Sequence, residues 1–367
     1  MGTLAKPVFK KVRGEQDLFI CLRQQVMEVV VALEGRRWWM IKAKAILFPL
    51  LYLAAYTCAL VWGNSVAVLY TCYLLLGLSI VLNFLNLIHD AVHHTLFAHP
   101  WLNRLYVYFF DVMGANSYMW KIRHIRLHHN YPNVLDWGSD FEQSPMARVF
   151  PHGAYSTMHR YQHLYLPLLY PLYLFNWLLV RDFKDFFIKS RLVWKVNPFI
   201  PKVEYIKLLL FKALFLFYTL VVPKLVLQVS WTQMLLAFIL MMFTASLTSL
   251  IVLLSPHATP ASEFPLPDER GVLPDSWFMH QLATTNDVSA DNWFTRLFMG
   301  SFNYHIAHHL FPHINHVYYP EVTTVIASFA KEHRLPYRSF PLSHSLLNHY
   351  RLLKLNATNN NIFEEAM

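Results

Sequence analysis

The chain has 367 residues, of which 55% are hydrophobic and 16% aromatic, whereas only 14% are charged. A water-soluble domain has about 25% charged residues, so the excess of apolar side chains indicates a membrane protein. Membrane orientation and attraction to lipid headgroups explain the net charge of +9. No nucleic-acid partner is predicted, because the chain has no basic and aromatic module of that kind. The three cysteines have no CxxC spacing, which argues against a disulfide framework or a thiolate metal site.

An N-terminal arm, residues 1–44, precedes the first long apolar run. It lacks the apolar core of a signal peptide, and its end, GRRWWMIKAK, is typical of a helix at the headgroup level. Four apolar runs follow, each near the roughly 20 residues that a transmembrane helix needs. The turns GNS and QVS are too short to hold a domain, so the runs form two hairpins. The runs lie at 45–63, 66–88, 206–227 and 231–254.

We therefore predict an all-α integral membrane protein of four transmembrane helices, arranged as two hairpins with a cytosolic helical cap. Lys and Arg are nearly absent from the two turns, which places both termini and the cap in the cytosol. We expect a bacterial inner membrane rather than the endoplasmic reticulum. The chain, 1–367, is predicted to be a single domain made of an arm (1–44), a first hairpin (45–88), a cytosolic segment (89–204), a second hairpin (205–254) and a second cytosolic segment (255–367).

A fifth apolar stretch at 164–180, LYLPLLYPLYLFNWLLV, contains two prolines. We interpret it as an interfacial or membrane-dipping element. If it crossed the membrane, the first two histidine clusters described next and the third would lie on opposite sides.

Nine of the 20 histidines fall in three clusters. On a helix, residues three and four apart share a face, so His89 is expected beside His93, His124 beside His128, and His305 beside both His308 and His309. Adjacent histidines diverge by about 100° around a helix and can serve two ions. A single pair is usually a solvated helix face, but three clusters on one side of a membrane predict a dinuclear, histidine-rich metal centre. The clusters are His89, His93 and His94; His124, His128 and His129; and His305, His308 and His309.

Further histidines surround these clusters in the sequence. His280 is the best candidate for an additional ligand, and His94 and His257 are candidates for the surroundings of the site. The remaining histidines, including His316, are interpreted as surface or surrounding groups. Ligating imidazoles need a partner on their second ring nitrogen. The polar residues close enough in sequence to serve are Asp90, Asn133, Asp140, Asn286, Asp287 and Asp291.

The order HDAVHH, HIRLHH and HIAHH, with one hairpin before the first two clusters and another before the third, resembles the membrane fatty acid desaturase superfamily. The resemblance covers residues 45–335 and includes SPHATPASEFPLPDE, WFMHQLATTND and HIAHHLFPHINHVYYP. It implies a non-haem centre of two ferrous ions that uses O₂ and two electrons to remove two hydrogens from a fatty acyl chain. The metal ligands that it implies are His89, His93, His124, His128, His129, His280, His305, His308 and His309.

Two features depart from relatives in this family. Pro132 follows the second cluster where many relatives have Thr, and His305 stands where front-end desaturases usually have Gln. No HPGG stretch of a fused cytochrome b5 occurs, so the expected electron donor is a separate ferredoxin or cytochrome b5. The acyl substrate is carried by CoA, a carrier protein or a glycerolipid.

Two alternatives remain open from the residues themselves. Imidazole binds iron, zinc, copper and nickel alike, so the histidines do not identify the metal. A di-iron lipid or alkane hydroxylase or an acetylenase would use the same site and the same first hydrogen abstraction. A zinc-dependent membrane hydrolase or a non-enzymatic metal-binding membrane protein would need neither O₂ nor reductant. The regions around His257 and His280, which resemble those of desaturases, favour a desaturase over a hydroxylase. An unactivated methylene offers no handle to side-chain acids or bases and requires redox chemistry, which favours both over the non-redox alternative.

Overall fold

The structure is a computed structural model that describes residues 6–139 and 144–358. These residues form an all-α membrane protein, as predicted, with two short parallel ladders. Strand β1 (Val8–Phe9) pairs with β2 (Val272–Leu273), and β3 (Asp287–Val288) pairs with β4 (Ser339–Phe340). The ladders tie the beginning and the end of the chain to the segment between the second hairpin and the third histidine cluster.

The first hairpin begins in a helix much longer than a membrane span. Helix α1 (Arg13–Trp62) has 50 residues and is therefore about 75 Å long, more than twice the hydrocarbon thickness of a bilayer. The predicted arm and first span are thus one continuous helix. Helix α2 (Val66–Asn83) returns along α1, passes through a π-helical turn (Phe84–Ile88) and ends as α3 (His89–Val92).

The second hairpin packs against the first. Its outgoing arm is α10 (Lys202–Leu216), a π-helical turn (Phe217–Val221) and α11 (Val222–Val226), and α12 (Trp231–Leu253) returns. Gly77 on α2 lies against α12, and a Cβ there would come within 2.4 Å of the Met241 carbonyl oxygen. The two hairpin turns are adjacent, since the Gln228 backbone N–H donates to Asn64 Oδ1 at 2.7 Å.

Most of the other helices form a cap at the open ends of the two hairpins. The N-terminal half of α1 belongs to this cap, because Leu22 and Val26 pack in one apolar core with Phe278, Phe311 and Phe329. The remaining cap helices are α4 (Pro100–Val112), α5 (Ser117–Lys121), α9 (Leu192–Val196), α13 (Trp277–Thr284), α14 (Trp293–Leu297), α15 (His305–Leu310), α16 (Tyr319–Glu332) and α17 (Leu342–Leu355). Helices α6 (Gln162–Leu169), α7 (Tyr173–Asn176) and α8 (Asp182–Phe187) belong to the stretch described next.

Within the described residues, five helical stretches are long and apolar enough to cross a membrane, one more than the sequence predicted. The additional stretch, Thr157–Phe187, contains the apolar run at 164–180 and is built from short α, 3-10 and π-helical pieces. Prolines at 167 and 171 accompany these changes of helix type. The five stretches are Arg13–Trp62, Val66–Val92, Thr157–Phe187, Lys202–Val226 and Trp231–Leu253.

Candidate metal centre

Eight histidines converge in two groups between the hairpins and the cap. In each group, four ring nitrogens lie within 4.8 Å of one another. Seven of the eight residues are buried, and His93 is half-buried. Group A consists of His89, His93, His124 and His308; group B consists of His128, His257, His305 and His309.

The ring nitrogens of group A approach one another in two close pairs. His89 Nε2 lies 3.1 Å from His308 Nε2, and His93 Nε2 lies 2.9 Å from His124 Nε2. His129 adjoins this group, with Nε2 3.2 Å from His124 Nε2. The His129 ring centre is 4.5 Å from that of His308 and 4.9 Å from that of His309. His129 therefore lies between the two groups.

Group B is centred on His257 and His309. His257 Nε2 lies 2.9 Å from His305 Nε2 and 3.1 Å from His309 Nε2. His309 Nε2 lies 3.0 Å from His128 Nε2. The groups adjoin, because the ring centres of His308 and His309 are 5.6 Å apart. The arrangement offers two neighbouring sets of nitrogen donors.

A π-helical turn decides how the second cluster is divided. Residues Ile122–His128 form this turn, and the His129 backbone N–H donates to the His124 carbonyl at 3.0 Å, five residues back. His124 and His129 consequently share one face, whereas His128 turns toward group B. The α-helical spacing used in the sequence analysis placed His124 with His128; that pairing is wrong because the turn is wider than an α-helical one.

The third cluster lies on the single short helix α15. His305 and His309, four residues apart, both enter group B, while His308 enters group A. The adjacent histidines thus point to different groups, as their separation of about 100° around a helix predicts. We expected His305 to lie together with both His308 and His309, but it lies in one group with His309 and not with His308.

Hydrogen bonds on the outer nitrogens show which ring nitrogens have lone pairs. His257 Nδ1 donates to the Thr284 carbonyl at 3.1 Å, and His309 Nδ1 donates to Gln281 Oε1 at 2.8 Å. A neutral imidazole that donates from Nδ1 has only a lone pair on Nε2. Two such lone pairs face each other across 3.1 Å in group B. This is unfavourable unless a cation lies between them, so the donor set fits a metal ion.

Burial favours the neutral form of several of the histidines at the site. It lowers the pKa of His124, His305, His308 and His309 well below the usual histidine value, and the neighbouring imidazoles lower it further. Burial and neighbouring imidazoles act in the same way on His93 and His129. Neutral imidazole is the form that binds a metal ion.

Comparison with known proteins agrees with this site. The model of the fatty acid desaturase family matches residues 63–341, which include all three histidine clusters. This chain belongs to the fatty acid desaturase family. It is therefore a membrane-bound oxidoreductase that acts on fatty acyl chains.

Curated relatives carry the names of acyl-lipid desaturases. An sn-1 linoleoyl-lipid 6-desaturase of Arthrospira platensis is 30% identical over 72% of this chain and 71% of its own length. The enzyme of the same name from Synechocystis is 30% identical over 73% of this chain and 75% of its own. An acyl-lipid (8-3)-desaturase of Physcomitrium patens is 28% identical over 83% of this chain and 63% of its own.

Two histidines of this desaturase differ in position from the sequence expectation. His280 lies in neither group: its Nε2–H donates to the Pro132 carbonyl at 3.1 Å, and its ring contacts Phe9. Burial lowers the pKa of His280 to about 4. His257, expected only near the site, is in group B. One feature of the sequence could have indicated His257 as a member of the site: it follows the end of the apolar helix α12, just as His89 follows the end of the apolar helix α2.

Helix α13 turns Gln281, rather than His280, toward the site. Besides accepting from His309, Gln281 donates from Nε2 to the His129 carbonyl at 3.2 Å. Both contacts fix the orientation of its amide. The sequence analysis did not single out Gln281, because nothing in the local pattern distinguishes it from an ordinary helical glutamine.

Asn133 and Asn286 hold the loop that carries His257. Asn133 has a positive φ of 57° and donates from Nδ2 to the carbonyls of His257 and Thr284 at 3.2 and 3.3 Å. Asn286 Nδ2 donates to the Pro256 carbonyl at 2.9 Å. Asparagine tolerates the left-handed conformation better than most residues. These amides bind backbone and not the outer ring nitrogens themselves.

Asp287 anchors the start of α15. Its Oδ1 accepts from the Ile306 backbone N–H at 2.8 Å, and its Oδ2 accepts from the Tyr337 hydroxyl at 2.9 Å. Burial raises the pKa of Asp287 to about 7, although both hydrogen bonds oppose this rise. Asp287 therefore positions the helix of the third cluster through its backbone, which includes the His305 backbone.

The other residues that were predicted to surround the site lie at different distances from it. Asp90 lies inside the site, with Oδ1 3.9 Å from His89 Nδ1. His94 is exposed and belongs to neither group. Asp291 pairs with Arg296 at the surface at 2.6 Å. Asp140 lies outside the described residues.

An apolar wall separates the site from the space between the hairpins. The Trp120 ring is stacked on His124 with centres 4.9 Å apart. The Phe302 ring centre lies 4.9 Å from His89 and 4.7 Å from His305. Trp120 and Phe302 belong to the same core as residues of α2 and α12. On this side, the histidines therefore face apolar side chains and not water.

Proposed function

We propose that this desaturase introduces a double bond into the fatty acyl chain of a membrane glycerolipid at a histidine-bound di-iron centre. The observation that supports this most directly is that two buried imidazoles, each donating outward from Nδ1, face each other with Nε2 and need a cation between them. The acyl CH₂–CH₂ unit, O₂, two electrons and two protons give a CH=CH unit and two waters. A separate ferredoxin or cytochrome b5 delivers the electrons.

In this proposal each histidine group holds one iron ion. Group A, joined by His129, would hold the first, and group B the second. When bound, the two ions would supply the redox chemistry with O₂ that an unactivated methylene requires. His280 is not included, because its Nε2 is engaged by the Pro132 carbonyl.

The protein's own side chains prepare the site for an acyl chain. Thr284 and Gln281 hold the rings of His257 and His309 from outside, which fixes the direction of the inner nitrogens. Trp120 and Phe302 give the membrane side of the site an apolar surface that accepts methylene groups and excludes water. The acyl chain would therefore lie against this apolar surface, with its polar head at the cap.

We further propose that only four helices cross the membrane. Both ends of Thr157–Phe187 contact the cap: Gln162 donates to the Leu353 carbonyl at 2.8 Å, and Arg181 donates to the Ser139 carbonyl at 2.7 Å. Its middle touches α12, where the Leu174 N–H donates to Ser246 Oγ at 3.0 Å. A stretch that leaves the cap and returns to it does not cross. These contacts support the membrane-dipping interpretation.

The same arrangement supports a cytosolic site. The two adjacent hairpin turns lie at the end of the molecule opposite the cap, and they are nearly free of Lys and Arg. The positive-inside rule then assigns the cap and both termini to the cytosol. The cyanobacterial origin of two relatives supports a bacterial membrane. Their names as lipid desaturases favour a glycerolipid-linked acyl chain over CoA or a carrier protein.

The test combines lipid and metal analysis of matched variants. Wild type, His308→Ala and His313→Ala are expressed in a host without the corresponding double bond, and fatty acids are identified by gas chromatography with mass spectrometry. His313 belongs to the same segment but is exposed and lies outside both groups. We expect a new double bond and about two irons per chain in wild type and His313→Ala, and neither a product nor a full iron complement in His308→Ala.

Other results would contradict the proposal in different ways. A hydroxylated fatty acid with two irons would identify a hydroxylase. Stoichiometric zinc with unchanged lipids, after iron loss during purification has been excluded, would indicate a non-redox protein. Normal activity of His308→Ala would remove the third cluster from the site.

A further inference from the structure

A chain of three polar side chains leads from α1 to group A. Lys44 Nζ lies 2.7 Å from His316 Nε2, and His316 Nδ1 lies 2.6 Å from Asp90 Oδ2. Asp90 Oδ1 in turn lies 3.9 Å from His89 Nδ1, the outer nitrogen of a group A histidine. Asp90 and His316 are each only 3% exposed. His316, which the sequence analysis interpreted as a surface or surrounding group, is therefore a buried part of the site's surroundings.

The donors and acceptors in the Lys44–His316–Asp90 series follow from the chemistry of its three side chains. A lysine ammonium can only donate, so His316 Nε2 accepts from Lys44. His316 is then neutral with its hydrogen on Nδ1, which donates to Asp90 Oδ2. Asn315 Nδ2 donates to the same oxygen at 2.7 Å. Two donors thus hold Oδ2 and leave Oδ1 of the carboxylate directed toward His89.

Further hydrogen bonds fix the position of the Lys44 ammonium. It also donates to Asn86 Oδ1 and to the Arg296 carbonyl, both at 2.9 Å. Its ammonium therefore joins α1, the π-helical turn before His89 and the end of α14. A buried carboxylate is stabilised only where its charge is compensated and its oxygens are hydrogen-bonded. The Lys44 charge, relayed through the neutral His316 ring, supplies this compensation.

The two histidine groups differ in this respect. The outer partners of His257 and His309 in group B are uncharged, a backbone carbonyl and an amide oxygen. Beside His89 of group A, the nearby acceptor is the Asp90 carboxylate, which makes an imidazole a stronger electron donor than a neutral acceptor does.

We propose that Lys44 and His316 are positioning residues that hold the Asp90 carboxylate against His89 and thereby make group A bind its metal ion more tightly. The proposal rests on the proposed function only in that group A holds an ion. Neither residue touches the ion or the acyl chain. Their effect passes through Asp90 to one of the two groups.

The experiment measures iron retention at each of the two groups. Purified, iron-loaded protein in detergent is exposed to a chelator, and ⁵⁷Fe Mössbauer spectra follow the two iron environments during release. The variants are His316→Ala, His316→Gln and Lys44→Met. The controls are Lys42→Met, whose side chain stacks on Trp38, and His159→Ala, a buried histidine that binds Ser144 and Ser156 far from both groups along the chain.

We expect one iron of the pair to leave about 10- to 100-fold faster in His316→Ala and Lys44→Met, the range typical of lost outer partners of metal ligands. The signal of the other iron is expected to change little. His316→Gln is expected to restore most of the retention, because its amide can accept from Lys44 and donate to Asp90. Both controls should release iron as wild type does.

Several results would overturn the proposal. Equal rates of iron release from wild type, His316→Ala and Lys44→Met would show that Lys44 and His316 have no effect on group A. Faster loss of both irons, shared by His159→Ala, would indicate general destabilisation. If His316→Ala does not fold, the half-buried Lys44→Met still decides the question. A folded wild type that binds no pair of irons would refute the proposed function instead.

Discussion

Replacing His257 with alanine is expected to remove one of the two irons and abolish desaturation, whereas His280→Ala is expected to keep both irons. The two residues make a matched pair. Both are buried histidines beyond α12, with 2% and 1% of their surface exposed. The structure places them differently, since His257 Nε2 faces two imidazoles and His280 Nε2 faces a backbone carbonyl.

The magnitudes follow from these contacts. His257 supplies one of four nitrogens in group B. Loss of an outer partner of a ligand weakens metal binding about 10- to 100-fold, so loss of the ligand itself should cost at least about 100-fold. His280→Ala leaves the Pro132 carbonyl without its donor, at a cost of about 1–3 kcal/mol in folding free energy. One variant is therefore expected to lose metal and the other to lose stability.

The assay measures iron per chain, thermal unfolding in detergent and the fatty acid products of expressing cells. His257→Ala should contain about one iron per chain, form no product and remain inserted in the membrane. His280→Ala should contain two irons and unfold at a lower temperature. Iron loss from His280→Ala together with full iron in His257→Ala would refute the assignment of the two residues and restore His280 as the ligand.

Three further predictions concern the outer partners, pH and topology. Gln281→Leu leaves His309 Nδ1 without its acceptor and should weaken iron binding at group B about 10- to 100-fold, while Gln281→Glu keeps an acceptor. Asp287, whose pKa rises from 3.8 to about 7 on burial, binds more protons folded than unfolded between these values, so its own contribution to stability should fall as pH rises from about 4 to 7. This contribution corresponds to about 4 kcal/mol, and the free energy of unfolding of wild type relative to Asp287→Asn should fall by about that amount over the same range. For topology, single cysteines replace the exposed residues His152, Lys189 and Asn64 in a background without the native cysteines. The cysteines at 152 and 189 should react with maleimide from the cytosolic side, and the cysteine at 64 should react from the opposite side.

Each of these predictions has an outcome that would count against it. Equal iron binding in Gln281→Leu and Gln281→Glu would mean that the amide does not hold His309. An unchanged pH dependence of thermal unfolding in Asp287→Asn would place the titration on another group. Labelling of His152→Cys and Lys189→Cys from opposite sides would mean that Thr157–Phe187 crosses the membrane.

The sequence predicted the helices of both hairpins well, because an uninterrupted apolar run long enough to span a bilayer has few other stable folds. It did not predict that α1 begins at Arg13, since the N-terminal half of that helix is stabilised by packing against α13 and α16 and not by its own apolar pattern. The stretch Thr157–Phe187 was ambiguous for a related reason. Its composition permits a span, and only contacts at both ends argue against one.

The histidine clusters were evident in the sequence because their spacing is local, and spacing within one turn is fixed by helix geometry. The division of those histidines between two groups was not evident. It depends on the π-helical turn at Ile122–His128, which changes which residues share a face. Gln281 and Lys44 reach the clusters from other parts of the chain, so no local pattern marks them.

The sequence by itself therefore determined the membrane location, the helical class and three local sets of nitrogen donors, all of which follow from composition and from spacing within a few residues. The tertiary structure alone decided which histidine belongs to which group, which ring nitrogens face inward, and which residues support them. The physical reason is that each of these depends on packing between segments far apart in sequence. His257 and His280 have similar burial, and their neighbours in space distinguish a metal-facing nitrogen from one that binds a carbonyl.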